Sequence, residues 1–562
     1  MKHVLPCDTL CRERGTKRQN LLSPAAKTRS LIVTNGLCFQ KSRWRSCNPV
    51  AFRSHTRRDA LQILAGGAIA ACAPPGARAQ AVEIPRRGGR IRVAGFSGSS
   101  ADTLDPARGA LSTDYIRGAM FYDALTELDE ALQVQPSLAI AIESDDAIRW
   151  TIRLRKGVRF HDGSPLTADD VVFSLLRHLD PRVGSQQKAI ARQFGSIRAR
   201  AADEVELTLV AANVDLPALL SLAPFYIIKN ATTDFSRANG TGPFLCQEFS
   251  PGIRSVAVRN PDYWRDGQPH LDEIEFFTIA DDMARHDALM SGDVDLIGGV
   301  NPRLAPLLRQ RGLQIMEAPG GAYTDFIMRL DQAPGNNPDF VRGMKYLFNR
   351  EQMKSAIFRG YAQVGNDQPI APGFPYFDAS LPQTVQDLDR ARYHFRRSGL
   401  TGSRVPMVCS PAAEGSVEMA ILLQHDAPPL GIDLAIQQVP ADGYWSNYWM
   451  QAPISFGNLN PRPRAEMAFS LSYASDAPWN ESRWRNPEFD RLLRAARGER
   501  NESLRAEMFA QMQVLVHDGS GVCIPLFLSD IDAFSPRLRG MRPRKTGEFM
   551  GFEFARHVWL AS

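Results

Sequence analysis

Short strand patterns and capped helices alternate along most of the chain, and no short repeat relates them. Residues Arg149–Arg155 alternate apolar and polar side chains, which is the period of a half-buried strand. Thr167 and Asp170 then have the spacing of a capping box that opens a helix. Asn337 and Asn486 each precede a proline, an arrangement typical of helix N-termini. This mixture of strands and helices predicts the α/β class.

The chain is too long for these elements to surround a single core. It has 562 residues, whereas a single hydrophobic core stops growing at about 250–300 residues. Two or more lobes are therefore expected, each with a core of its own.

The positive charge is confined to the first part of the chain. The sequence has a formal net charge of +5, but residues 1–81 carry +11 and the remainder carries −6. A mildly acidic body argues against a phosphate-backbone partner, so no nucleic-acid partner is expected. Five of the eight cysteines also lie in this leader. The other three, Cys246, Cys409 and Cys523, are widely spaced and predict neither a disulfide scaffold nor a metal site.

Residues 51–80 have the features of an export signal. Thr56–Leu61 resembles the twin-arginine motif, with Ala60 in place of the usual aromatic or apolar residue. The apolar run Leu61–Ala71 is shorter than the roughly 20 residues that span a bilayer. Ala77–Ala79 then has the small-x-small pattern of a cleavage site. These features predict a soluble periplasmic product that begins near Gln80.

Two features of the leader leave alternatives open. Ile69–Cys72 resembles a lipobox, which would leave the protein tethered to the membrane by a lipid on Cys72. Residues 1–50 are basic and Ser-rich and show no periodicity, so they fit neither a signal peptide nor a domain. Our hypothesis is that translation starts further in, for example at the codon of Val50. A precursor that begins at Met1 would contradict this hypothesis.

Five segments, in this order, resemble the family 5 extracellular solute-binding proteins, which include the dipeptide, oligopeptide and nickel binders of ABC importers. The most specific segment is Trp150–Val171, which matches the family's strand–turn–helix hallmark almost residue for residue. Its turn, His161–Ser164, is interpreted as a folding element rather than a catalytic pair, because Asp and Gly tolerate the backbone angles of turns. The other segments are Thr103–Pro106, Gly240–Phe244 with Arg259–Trp264, Asp282–Asp295, and Asn486–Asp490 with Ile524–Leu526.

The resemblance implies an α/β, two-lobed periplasmic-binding-protein fold of type II, with an extra subdomain inserted in lobe I. The chain would cross twice between the lobes, near Pro319–Gly321 and near Pro525–Asp530, and these crossings would form the hinge. Glycines suit a position that must absorb backbone rotation. The implied bounds are 88–320 and 521–562 for lobe I, about 131–237 for the inserted subdomain, and 321–520 for lobe II.

Aromatic residues gather in one stretch of the predicted lobe II. Four of the eight tryptophans and three tyrosines lie between residues 444 and 484. Large aromatic side chains give contact area at a small cost in rotamer entropy. We predict that Trp445 and Trp479 form walls of a ligand cleft, with packing in the lobe's own core as the alternative. Tyr473 and Trp484 are expected to fill the core.

Polar ligand contacts are predicted from the resemblance and from the first strand. Peptide-binding relatives use an Asp near the position of Asp476 to receive the ligand's α-ammonium group. Here Tyr473–Ser475 replaces the usual aromatic-Gly lead-in. Ser97 and Ser99, at the tip of the first strand, can offer backbone N–H groups to a carboxylate. Tyr323 follows the first crossing and completes the predicted contacts.

The resulting prediction is a periplasmic solute-binding subunit of an ABC importer that captures a peptide or similar solute and delivers it to an inner-membrane permease. It is expected to be a monomer and to need no cofactor. No metal site is predicted, because the eight histidines after the leader include no pair at ligand spacing.

Two other classes of function were weighed. A secreted hydrolase would need an activated nucleophile, but the sequence has neither G-x-S-x-G nor H-E-x-x-H. A periplasmic sensory or chaperone protein could use the same cleft, and no sequence feature excludes it.

Overall fold

The computed structural model describes residues 84–561. The predictions on residues 1–50, on the export signal at 51–80 and on Cys72 lie outside the described residues. Between residues 84 and 561 the chain forms strands and helices in alternation, as the sequence predicts.

The strands have the following bounds: β1 Arg90–Gly95, β2 Thr126–Leu128, β3 Val134–Pro136, β4 Ala139–Glu143, β5 Arg149–Leu154, β6 Phe194–Ala201, β7 Glu204–Leu209, β8 Phe244–Ser250, β9 Arg254–Arg259, β10 Glu273–Thr278, β11 Leu296–Ile297, β12 Gln314–Met328, β13 Ala362–Val364, β14 Arg404–Cys409, β15 Asp433–Gln438, β16 Ile454–Leu459, β17 Val522–Phe534, β18 Leu538–Arg539 and β19 Trp559–Leu560.

The helices have the following bounds: α1 Ser112–Phe121, α2 Ala168–Leu176, α3 Lys188–Ala191, α4 Leu216–Leu219, α5 Asp282–Ser291, α6 Ala305–Gln310, α7 Pro338–Leu347, α8 Arg350–Ala356, α9 Leu388–Ser398, α10 Ser416–Asp426, α11 Tyr444–Asn447, α12 Ala465–Ser472, α13 Pro487–Gly498, α14 Glu502–Gly519, α15 Glu548–Gly551 and α16 Phe554–His557.

The capping signals in the sequence act as predicted. In α2 the carboxylate of Asp170 accepts hydrogen bonds from the backbone N–H and the hydroxyl of Thr167, each at 2.8 Å. The Asn337 side chain accepts from two backbone N–H groups at the start of α7, and Asn486 does the same for α13. These bonds satisfy N–H groups that the first helical turn leaves without partners.

A nine-stranded sheet runs through the body of the protein in the order β16-β12-β17-β11-β1-β10-β9-β8, with β13 also paired to β17. Strand β1 is parallel to β10 and to β11, and the other pairs are antiparallel. A separate four-stranded sheet, β4-β5-β7-β6, lies within the predicted inserted subdomain.

The two longest strands of the nine-stranded sheet, β12 and β17, pair with each other along most of their length. Their ladder runs from the Gln314–Phe534 pair to the Ile327–Val522 pair and shifts register between Pro319 and Ala322. Pro319 faces Ser529 and Ala322 faces Leu528, so Gly320 and Gly321 are extra residues on β12. The first predicted crossing therefore coincides with a bulge in the sheet.

The apolar cores separate along these two strands. Before the bulge, β1, β10 and α1 pack around Phe276 and Met120. After the bulge, Phe326 and Met344 belong to one core and Phe469 belongs to another. A further core fills the inserted subdomain around Leu207.

The apolar spacing of Leu504, Met508, Met512 and Leu515 predicts the buried face of α14, and it is wrong at its first residue. Leu504 is exposed, whereas Met512 is buried and Met508 and Leu515 pack against the core. Arg505 is buried in place of Leu504, and it pairs with a carboxylate from a distant part of the chain. In the described part of the chain, no helix combines the length and the apolar character needed to span a bilayer.

Candidate ligand-binding cleft

Tyr323 lies on β12 just past the bulge, and 4% of its surface is exposed. Its ring meets the ring of Phe527 on β17 edge to face, with 5.8 Å between the ring centres. Burial raises the pKa of Tyr323 well above its usual value, so the hydroxyl stays protonated. The residue is therefore a fixed aromatic wall with a hydrogen-bonding group.

Arg462 lies near Tyr323 and has no ion-pair partner among the described residues. It lies in the segment that joins β16 to α12, and its side chain is partly exposed. Within residues 84–561, no carboxylate lies within 4 Å of its guanidinium group and no hydrogen bond joins it to another residue. Burial lowers the pKa of Arg462, and Tyr323 and Tyr115 act in the opposite direction. A partly exposed group that the surrounding protein still desolvates lies in a recess rather than on an outer surface.

The neighbours of Arg462 come from separate parts of the fold. Its guanidinium carbon lies 5.4 Å from the centre of the Trp479 ring, within cation–π range. Tyr115 belongs to α1, and its hydroxyl donates to the carbonyl of Gly109 at 3.3 Å. Burial is the main cause that raises the pKa of Tyr115. The recess thus has walls from α1, β12 and the loop after α12.

The other predicted lobe II contacts are more peripheral. Asp476 is exposed on the loop before Trp479 and forms no ion pair with another described residue. Trp445 is 40% exposed and contacts Trp449 edge to face, with 5.5 Å between ring centres. Tyr473 and Trp484 are buried in the core, as expected.

The two serines at the tip of β1 have different surroundings. The hydroxyls of Ser97 and Ser112 are 3.1 Å apart, which places Ser97 beside the start of α1. Ser99 takes part in a local turn, since its backbone N–H donates to Asp102 at 2.8 Å and its hydroxyl accepts from the N–H of Ala101 at 3.1 Å. Ser99 therefore has fewer free groups than Ser97.

A group of carboxyl side chains lies on β17 and beside it. Asp530 and Asp532 are two residues apart on β17. The backbone N–H of Phe549 donates to Asp532 at 2.8 Å, which brings Glu548 beside them. Each of these three carboxyl groups has one buried oxygen without a hydrogen-bond partner among the described residues. Burial raises the pKa of all three, and Glu548 raises the pKa of Asp530 and Asp532 further.

Glu414 adds a fourth carboxyl group from the segment before α10. Its side chain is accessible to solvent, yet burial raises its pKa. Glu414 also raises the pKa of Asp530, so the two groups are close enough to interact. These four carboxyl groups are either negatively charged or, when protonated, neutral. Arg462, in contrast, carries a positive charge.

A buried carboxyl pair lies behind Tyr323. Burial raises the pKa of Asp325 to about 6 and raises that of Glu481 well above its usual value. The indole N–H of Trp449 donates to Glu481 at 2.6 Å. Gly457 provides the space, because a β-carbon there would lie 2.2 Å from Glu481 Oε1 and 2.4 Å from Asp325 Oδ1. Asp325 raises the pKa of Glu481 further, so the two buried carboxyl groups do not both ionise readily.

Sequence reasoning missed Arg462 and Tyr115. A signal for Arg462 was present, because it stands between Pro461 and Pro463. Proline restricts both its own backbone and that of the preceding residue. A charged residue whose backbone is restricted in this way, in a loop between a strand and a helix, is a candidate ligand contact. For Tyr115 no sequence signal distinguishes it from other aromatic residues on helices. No group of three or more candidate metal ligands occurs in residues 84–561.

Comparisons with known proteins identify the family and the fold. Residues 133–481 match the family described as bacterial extracellular solute-binding proteins, family 5 Middle. The heme-binding protein A of Haemophilus influenzae is 26% identical over 467 residues, which are 75% of this chain and 84% of that protein. The glutathione-binding protein GsiB of Escherichia coli strain K12 is 26% identical over 293 residues. That match spans 51% of this chain and little more than half, 57%, of GsiB.

Solved structures share the fold. The periplasmic binding protein DppA of Helicobacter pylori, in complex with the peptide STSA, has a TM-score of 0.73 at 20% identity, covering 85% of this chain and 99% of that one. The substrate-binding protein CtaP of Listeria monocytogenes has a TM-score of 0.75 at 21% identity, covering 85% and 100%.

These comparisons confirm the predicted two-lobed α/β fold of the type II periplasmic-binding proteins. They also confirm the importer-subunit interpretation over the hydrolase. The chain belongs to family 5 of the bacterial extracellular solute-binding proteins.

Proposed function

We propose that the region around Arg462 is the ligand cleft and that it captures a peptide or peptide-like solute with an anionic group. The observation that carries this proposal is the guanidinium group of Arg462, which is desolvated by the protein and has no carboxylate partner in the described residues. A desolvated cation without a counterion is unfavourable unless a ligand supplies the counterion. A carboxylate on a small solute supplies two acceptors in the geometry that guanidinium prefers.

The remaining contacts favour a solute with both charges. A carboxylate on Arg462 contributes about 1.5–3 kcal/mol as a charge-assisted hydrogen bond. Trp479 and Tyr323 provide rigid walls beside it. Asp530 and Glu414 offer acceptors to a cationic group of the same solute. We keep Asp476, Trp445 and Ser97 as proposed rim contacts, and we assign Ser99 a supporting role in its turn.

The cleft works by closure of two lobes. Lobe I comprises 88–320 and 521–562, with the inserted subdomain at about 131–237, and lobe II comprises 321–520. The hinge consists of Pro319–Gly321 and Pro525–Asp530. The solute favours the closed form because it contacts both lobes at once. The closed, monomeric complex then docks on an inner-membrane ABC permease, and the solute leaves unaltered, without catalysis.

The protein acts outside the cytoplasm, in keeping with its extracellular family. Export proceeds through the twin-arginine-type signal at residues 51–80. Cleavage after Ala79 releases a soluble protein, and lipidation at Cys72 is the alternative.

The experiment compares wild-type protein, Arg462→Ala and Arg462→Lys, each purified gently from its host. Native mass spectrometry reads the mass of any solute that co-purifies. Wild type is expected to carry a solute, Arg462→Ala to lose it, and Arg462→Lys to retain a reduced fraction because the charge is kept but the planar fork is lost. Arg342→Ala changes an exposed arginine on α7 and is the matched control. Equal occupancy in wild type and Arg462→Ala would reject the anchor.

A further inference from the structure

A buried ion pair joins the inserted subdomain to lobe II. Asp215 lies between β7 and α4, and Arg505 lies on α14, 290 residues away along the chain. Arg505 Nη1 donates to Asp215 Oδ1 at 3.2 Å, and Arg505 Nη2 donates to Asp215 Oδ2. Only 6% of Asp215 and 3% of Arg505 are exposed. A bidentate pair that excludes water has a fixed geometry and fixes the two elements against each other.

Polar contacts around the pair come from the same two parts of the fold. The backbone N–H of Val214, next to Asp215, donates to the carbonyl of Arg497 on α13 at 2.9 Å. Arg464 Nε lies 3.7 Å from Asp215 Oδ1 and adds a second cation from lobe II. Arg505 also donates to the hydroxyl of Tyr376 at 2.8 Å. The junction is therefore a built contact rather than a chance approach of two side chains.

Apolar side chains also cross the junction. Met467 on α12 is buried in the core of the inserted subdomain. Leu132, at the edge of that subdomain, is buried in a core of lobe II. Beside the ion pair lies a groove of about 740 Å³ whose walls include Trp150 and Glu143 from the subdomain and Glu499 and Arg500 from lobe II. Asp215, Arg464 and Arg505 also line this groove, so the pair lies at its wall.

The junction is distinct from the two hinge crossings, although Arg464, which belongs to it, is only two residues from Arg462. β12 and β17 connect the lobes covalently, whereas Asp215 and Arg505 connect them only while they are in contact. We propose that the Asp215–Arg505 pair is a closure latch, a contact independent of the solute that sets the population of the closed form. It rests on the lobe assignment given above and not on the role of Arg462.

The latch has a direct consequence for binding. When only the closed form binds tightly, the apparent dissociation constant is the intrinsic constant divided by the fraction of closed protein. A contact that raises this fraction tightens binding without touching the solute. The latch thus tunes affinity, while the Arg462 recess determines which solute is chosen.

The test measures opening in solute-free, full-length mature protein. Spin labels are placed at Ala202→Cys in the inserted subdomain and Ala495→Cys in lobe II, both exposed positions, with Cys246→Ser to remove the partly exposed native thiol. Pulsed electron–electron double resonance then gives the distribution of distances between the two spin labels. The latch predicts a dominant short distance with the native pair and a shift to longer distances in Asp215→Asn and in Arg505→Gln. The double variant Asp215→Arg with Arg505→Asp should recover part of the short-distance population.

Matched controls separate the possible outcomes. Glu488→Gln removes an exposed pair with Arg491 within α13 and should leave the distribution unchanged. Arg462→Ala should also leave it unchanged in solute-free protein, so a failure of the Arg462 anchor and a failure of the latch are distinguishable. A distribution already long and broad with the native pair would overturn the latch. So would folded Asp215 and Arg505 variants that keep the native distance, because the subdomain would then move with lobe II as one body.

Discussion

Arg462 and Arg505 lie on the same predicted lobe and face elements of the other, yet their surroundings differ. Arg505 has a carboxylate, two neutral acceptors and almost no exposure. Arg462 has aromatic neighbours and no acceptor in the described residues. The comparison shows that burial alone does not separate an arginine paired within the chain from one that we propose binds a ligand. What distinguishes Arg462 is that the chain itself supplies no counterion.

A third arginine sets the scale for this comparison. Arg350 on α8 donates to both oxygens of Asp367 at 2.9 Å, and both residues belong to lobe II as proposed. Replacing Arg350 by Met leaves the Asp367 carboxylate buried without its ion-pair partner, and no movement between the proposed lobes can expose it. We expect a loss of about 3–5 kcal/mol in the free energy of unfolding. Urea titration of the variant checks this value, and a loss below about 1 kcal/mol would show that Asp367 is protonated or hydrated without its partner.

The next largest effect is expected in binding at Arg462. Replacing Arg462 by Met removes the charge but keeps much of the apolar stem. We expect the affinity for the co-purified solute to fall by about 1.5–3 kcal/mol, roughly 10- to 150-fold. The free energy of unfolding should stay within about 0.5 kcal/mol of wild type or rise, since no partner loses its contact. Calorimetric titration and urea unfolding of the same preparation measure both values. A large loss of stability with unchanged affinity would reverse the comparison and make Arg462 structural.

The buried carboxyl groups of Asp325 and Glu481 extend the comparison from arginines to acidic side chains. The folded pKa of Asp325, about 6, is above its usual value of 3.8, so the folded state holds protons that the unfolded state releases between pH 4 and pH 6. Stability from this group therefore falls as the pH rises through that window. Asp325→Asn removes the dependence and should stabilise the protein at pH 7 by about 1–3 kcal/mol, with little change at pH 4. Thermal unfolding across this range measures the difference. An equal effect at both pH values would mean that the pair does not titrate there.

The smallest structural effect is expected for Arg505→Met. Opening of the lobes lets Asp215 regain water, so the loss in free energy of unfolding should be about 1 kcal/mol and well below that of Arg350→Met. The same urea titration provides the comparison. Equal losses for the two variants would indicate that Asp215 stays buried and that the junction does not separate.

Much of the fold was predictable because its signals are local. The alternation at Arg149–Arg155 and the caps at Thr167, Asn337 and Asn486 each act within a few residues, and the structure forms those elements. The same local reasoning failed at Leu504. The burial of its neighbour Arg505 depends on Asp215, and a pairing across 290 residues leaves no periodic trace.

The cleft was harder to predict for a physical reason. Aromatic clustering drew attention to the stretch that contains Trp479, which we propose as a wall of the recess, but it does not separate such positions from core residues such as Trp484. The flanking prolines mark Arg462 as a candidate, but its lack of a partner among the described residues can be recognised only when the positions of its neighbours are known. Tyr323 is predicted as a contact from its place after the first crossing, which is information about chain topology rather than about residue type.

The bulge at Gly320 and Gly321 has a mechanical consequence. These two residues have no counterparts on β17, so the ladder shifts register here, as it does again between Thr324 and Phe326. For the lobes as we propose them, rotation at this point would leave the ladder before the bulge intact, so contacts between the lobe surfaces would oppose the rotation. A methyl group at Gly320 would sit 2.7 Å from the carbonyl oxygen of Leu528, and one at Gly321 would sit 2.8 Å from the Phe374 ring. Side chains at either position would clash with these groups, so for the hinge as we propose it a substitution here should slow the release of a bound solute.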